Sequence, residues 1–108
     1  MAIKLISFDR FTVQYGITNP LGHDLVRVEF FEKKKLVARM LMGSAIAPGA
    51  FASLLQGTVH MYFPSQHFTN VLALLKSGKG VAIQIESENE AFPDGPLVGA
   101  SLTLKHAL

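Results

Sequence analysis

The residues that could do chemistry in this chain are four histidines, a run of carboxylates, a few serines and a cluster of lysines. His23, His60, His67 and His106 are the natural ligands of a metal or the groups of an acid–base pair. His60 and His67 straddle the junction between an expected strand and an expected helix. They form no His-x₃-His pair, and the chain has no Cys. Zinc needs three or four convergent donors, so this spacing predicts no metal site. Glu86, Glu88, Glu90 and Asp94 crowd one polar stretch without the Asp-x-Asp-x-Asp-Gly order of a calcium loop, and they read as solvated charge. Ser53, Ser65, Ser77 and Ser101 lack the Gly-x-Ser-x-Gly frame of a nucleophile elbow. Gly78-Lys79-Gly80 is too short for a phosphate loop, whose lysine follows four intervening residues and precedes Ser or Thr. The expectation is a non-enzymatic protein with no catalytic, cofactor-binding or metal-binding residues.

Lys33-Lys34-Lys35 is the remaining chemical feature. With Arg27 and Arg39 on adjoining strands and Phe30-Phe31 alongside, it offers charge for phosphate and rings for bases. Glu29 and Glu32 partly cancel it, and lysines at a hairpin tip also protect an exposed turn. Ten Lys and Arg against eight Asp and Glu leave a net charge of +2. That balance lacks the dense basic stripe of a nucleic-acid binder.

Three strands carry apolar residues on both faces. Phe31 lies opposite the face of Phe30, Leu41 opposite that of Met40, and Tyr62 opposite that of Met61. Either the helix and the segment 43–57 cover the second face, or that face is an interface. The candidate interaction residues are Arg27, Phe31, Lys33, Lys34, Lys35, Arg39, Leu41 and Tyr62. The expected occupant is a protein, with a second copy in a homodimer as one form of it. Two alternatives stay open: a small apolar ligand in a cavity lined by Met40, Met42, Met61 and Phe63, and nucleic acid at the lysine tip.

The elements that must position these groups follow from periodicity. Phe11, Val13 and Tyr15 alternate with Thr12 and Gln14, as do Val26, Val28 and Phe30 with Arg27 and Glu29. Ile3–Phe8 and Leu36–Met42 are further strands, with Ala38, Met40 and Met42 sharing a face. Asp9-Arg10 is either a tight turn or a bulge within one bent strand. Phe51, Leu54 and Leu55 after Pro48 have helical spacing and predict a short helix. Val59, Met61 and Phe63 mark a strand that Pro64-Ser65 ends. Phe68, Val71, Leu72 and Leu75 then form one helical stripe, from Ser65 as N-cap to Gly78. Val81, Ile83 and Ile85 resume the period of two, residues 86–96 form a surface loop, and Val98 to Leu104 close the chain as a strand.

The expected fold is α+β and β-rich, one domain over residues 1–108. A curled, mostly antiparallel sheet or partly open barrel of six to seven strands carries one main helix (65–77) packed against it. The stretch 65–79 is long enough to cross over between one parallel pair. Hydrophobic residues make up 49% of the chain and charged ones 17%, against roughly 25% in ordinary globular domains, which leaves less charge to cover the surface. No apolar run reaches signal-peptide or membrane-spanning length, so a cytoplasmic location is the expectation.

Tyr62-Phe63-Pro64, Val71-Leu72-Ala73-Leu74-Leu75-Lys76, Val81-Ala82-Ile83-Gln84-Ile85 and Val98-Gly99 together resemble a family of short bacterial proteins with no assigned function. The resemblance covers residues 57–99. It implies a bacterial or phage source and carries over no catalytic residue.

Overall fold

The computed structural model describes residues 2–17, 24–43, 51–64, 68–77 and 80–104. Alternation decides most of it. In β3 (Asp24–Glu32) and β4 (Lys35–Gly43), Val26, Val28, Phe30, Ala38, Met40 and Met42 are buried, while the residues between them face outward. β6 (Thr58–Pro64) adds Val59 and Met61 to the same face, and β5 (Phe51–Leu55) adds Ala52 and Leu54. β2 (Arg10–Ile17) and the two-residue β8 (Gly95–Pro96) complete a six-stranded sheet in the order β2-β3-β4-β6-β5-β8. The cross-strand pairs Val13–Val28, Val28–Met40, Met40–Met61 and Met61–Ala52 run across its inner face as one apolar row.

A second sheet, β1-β7-β9, is built from Ala2–Ser7, Val81–Ser87 and Gly99–Leu104. Its central strand β7 is buried almost throughout, with Ile83 and Ile85 joining the same core as Met40 and Met61. Two corners connect the sheets. β1 leads through Phe8-Asp9 into β2, and β8 leads through Leu97-Val98 into β9, so each pair of strands passes from one sheet to the other. Phe8 anchors the first corner by packing edge-on against Phe30, with ring centroids 4.8 Å apart. Followed through these corners, the chain circles the core as seven extended segments without a closed hydrogen-bonded ring.

The expected β-rich, mostly antiparallel architecture with one helix is therefore the observed one. The described residues hold nine strands because each corner divides one extended segment between two sheets. Three local readings change. Residues 51–55 are a strand, not a helix: Gln56-Gly57 adopt positive φ (50° and 81°), the requirement of a two-residue type I′ hairpin, and fold β5 back on β6. The parallel pair is β4–β6, and its crossover runs through residues 44–57, not 65–79. The polar loop is shorter than 86–96, since Glu86 and Ser87 extend β7 and Gly95-Pro96 pair with β5.

The helix α1 (Phe68–Leu75) carries the chain from the larger sheet to the smaller. Its last helical residue is Leu75, two before the expected end at 77, and residues 65–67 lie outside the described residues. Lys76 and Ser77 close it with backbone bonds to Leu72 and Leu74, and the expected caps Ser65 and Gly78 lie outside the described residues. Phe68, Val71 and Leu75 pack on the core, with Leu75 buried, whereas Leu72 is only half-buried. Eight residues are too few to hold a helix in water, so docking must stabilise it. Leu75→Ala should lower the unfolding free energy by about 2–5 kcal/mol, and Asn70→Ala by under about 0.5 kcal/mol. Urea midpoints of the two variants measure the difference.

Candidate interaction surface and apolar cleft

Because β5 extends the larger sheet instead of covering it, the outer face of that sheet is lined by the residues that alternate with the core. Register places Arg27 opposite Leu41 and Leu41 opposite Tyr62, a single row across β3, β4 and β6. The next row runs Thr12, Glu29, Arg39, His60 and Ser53. Phe31 lies in a third, opposite Arg10. Five of the eight candidate residues, Arg27, Phe31, Arg39, Leu41 and Tyr62, thus share one face. Arg27 is exposed there and the other four are half-buried.

The charges on this face are organised by short contacts. Arg39 donates from Nε and Nη2 to Glu29 Oε2, at 3.2 and 3.0 Å. A partly exposed pair like this contributes at most about 1 kcal/mol. Its larger effect is to hold both side chains flat across the strands. The Arg10 guanidinium lies over the Phe31 ring, 4.7 Å from its centroid, within cation–π range. Sequence reasoning missed Arg10 because its partnership depends on β2–β3 register, which no local pattern specifies. The contact also occupies one side of the Phe31 ring, the ring beside the lysine tip that could stack on a base.

Lys33, Lys34 and Lys35 sit apart from the row, at the exposed end of the β3–β4 hairpin. Lys33 and Lys34 form its two-residue turn at φ 51° and 69°. Such turns favour Asn-Gly, because side chains with a Cβ crowd the backbone at positive φ. Asp9 offsets part of the strain: its Oδ2 accepts the Lys33 backbone N–H at 3.0 Å, tying the tip to the β1–β2 corner.

The other groups do not converge. His60 is half-buried on the outer face, and His23, His67 and His106 lie outside the described residues. Among the described residues, no cluster of three or more His, Cys, Asp or Glu could hold a metal ion. The carboxylate loop is strapped by its own bonds. Buried Ser87 accepts from the Asn89 N–H, Asn89 Oδ1 accepts from the Ala91 N–H, and Asp94 accepts from the Gln56 N–H of the β5–β6 turn. These contacts give Asp94 a structural task.

A second feature lies on the opposite side of the larger sheet. Between α1, β9 and the ends of β4 and β6, a cleft of about 340 Å³ opens to the surface. Phe63, Ala100 and Leu102 form its floor, with wholly buried Met40 beneath, and Val71 and Leu74 form the helix wall. Asn70 and Ser101, both exposed, are its polar rim. Of the four residues expected to line a cavity, Met40 and Phe63 do so. Met42 and Met61 are fully buried and do not line it. The helix and β9 residues of the cleft escaped sequence reasoning, since nothing local says that α1 and β9 are neighbours.

No family model matches this chain, and no curated protein or solved structure matches it. Among the described residues, no helix is long and apolar enough to cross a membrane. Replacing the strained tip by the combination Lys33→Asn and Lys34→Gly should raise stability by about 1 kcal/mol, the order of the αL penalty relieved. Thermal denaturation measures the gain.

Proposed function

We propose that this protein is a non-enzymatic interaction module that binds another protein on the outer face of its six-stranded sheet. The observation that carries the reading is the clustering of Arg27, Phe31, Arg39, Leu41 and Tyr62 on that face. Their alternation has no core to serve, because the same strands already bury their other residues inward. Leu41 and Tyr62 supply an apolar centre, Arg27 and the Glu29–Arg39 pair surround it, and the lysine tip stands at one end. Interfaces have this anatomy: an apolar, aromatic and arginine-bearing middle inside a charged rim. The complementary partner surface is apolar at its centre and acidic opposite Arg27 and Lys33–Lys35. Nucleic acid fits less well, since Arg10 already occupies a side of the Phe31 ring and Glu29 sits mid-face.

A second reading rests on the cleft. Its volume falls in the lower part of the range of small-molecule sites, and its lining is aliphatic and aromatic with uncharged polar groups at the rim. The fitting ligand is a small neutral molecule with an apolar body and one hydrogen-bonding end.

Two measurements separate these readings. A partner cross-linked to and purified with the wild-type protein should bind Leu41→Glu about tenfold or more weakly, because a buried carboxylate would be left uncompensated at the centre of the contact. Full affinity in that variant overturns the first reading. For the second, the neutral dye 1-aminoanthracene should gain fluorescence on binding wild type and lose it with Ala100→Phe, which fills the cleft; an unchanged titration removes that reading.

A further inference from the structure

Four strands end the two sheets: β1 and β9 in the smaller, β2 and β8 in the larger. Unpaired strand edges invite other strands, and folded proteins blunt them with charge, proline, short length or a covering element. Three of the four are blunted here. β8 has two residues, one of them Pro96. β1 carries Lys4 on its inward face, opposite Ile85, with the ammonium 5.7 Å from the Phe92 ring centroid. β9 lies against β5 of the larger sheet, with α1 across the cleft from it.

Among the described residues, β2 has none of these protections. It is eight residues long, with no proline, no break in its register with β3 and a single charge, Arg10, at its first position. It also runs past the smaller sheet. β1 pairs with β7 up to Ser7 opposite Ala82, and β7 begins one residue further on, so among the described residues no strand of that sheet lies beneath β2. Val13 and Tyr15 are accordingly 38% and 65% exposed, although they lie on the inner face with Val26 and Val28.

We infer that β2 pairs antiparallel with β2 of a second copy about a two-fold axis through Val13, joining two six-stranded sheets edge to edge. The sequence of the strand selects that occupant. About this axis Val13 meets Val13 of the other copy and Phe11 meets Tyr15 on the inner face. Thr12 meets Gln14 on the outer face, and Arg10 meets Gly16. Over residues 11–15 apolar therefore faces apolar and polar faces polar, and Arg10 faces a glycine in place of a like charge; Ile17, at the end of the strand, falls opposite Asp9. The same operation applied to β1 about Lys4 would set two lysines against each other. The pairing is independent of the outer-face reading, because it uses backbone groups at the edge and side chains of the inner face.

Light scattering on a size-exclusion column measures the result directly. Wild type should have twice the chain mass and dissociate on dilution, and Val13→Lys should have the monomer mass with an unchanged far-UV circular dichroism spectrum. Leu41→Glu should keep the dimer mass, which separates this contact from the outer face. As a second test that does not depend on how Val13→Lys folds, Val13→Cys should oxidise to a covalent dimer, since residues paired across strands lie within disulfide reach. Leu55→Cys, exposed at the far side of the sheet, should not. The chain has no other Cys to confuse the outcome. A wild-type monomer at every concentration, a dimer that survives Val13→Lys, or equal cross-linking from Leu55→Cys overturns the inference.

Discussion

Everything in this molecule depends on one apolar layer, the inner face of the six-stranded sheet closed by β7. Phe30, Met40, Met42 and Met61 come from the larger sheet and Ile83 and Ile85 from the smaller, and all six have essentially no exposed surface. Each such side chain contributes about 1.5–3 kcal/mol on burial. Ser87 is the buried polar side chain among the described residues, and none of their buried side-chain nitrogens or oxygens lacks a partner. The helix joins the layer through Leu75 with Phe68 and Val71 beside it. It is held by the layer; it does not create it.

That layer divides the strands into two kinds of surface. Inward residues are committed to packing, so the outward residues of β3, β4 and β6 are released from any duty to the core. A leucine, a tyrosine and a phenylalanine stand among them, each half-buried. A low charged fraction makes the contrast sharper, because the charges present are paired or grouped in place of being spread evenly. Arg39 lies against Glu29, Arg10 lies on Phe31, and three lysines gather at the tip.

Because the strands bend through corners at Phe8-Asp9 and Leu97-Val98, the two sheets differ in size and cannot cover each other completely. Two openings result. One is the cleft beside α1, where helix and β9 stand apart over Phe63. The other is the overhang of β2, where inner-face residues meet solvent. Both arise from the mismatch of six strands against three.

Strands and their faces were legible in the residues themselves, since a period of two in Val26–Phe30, Ala38–Met42 and Val59–Phe63 leaves one arrangement that hides the apolar set. The lysine tip and the shared face of Leu41 and Tyr62's strands followed from the same alternation. Local pattern failed at Phe51–Leu55, where three apolar residues satisfy a helical spacing and a strand equally; Gln56-Gly57, able to adopt a type I′ turn, was the deciding signal. The sequence by itself determined which side of each strand is apolar. Only the tertiary structure decided which strands are neighbours: the parallel β4–β6 pair, the corners, Arg10 on Phe31 and the cleft between α1 and β9. The reason is physical. Alternation is a local property of the chain, whereas strand order is chosen by how distant apolar faces of unequal width can cover one another.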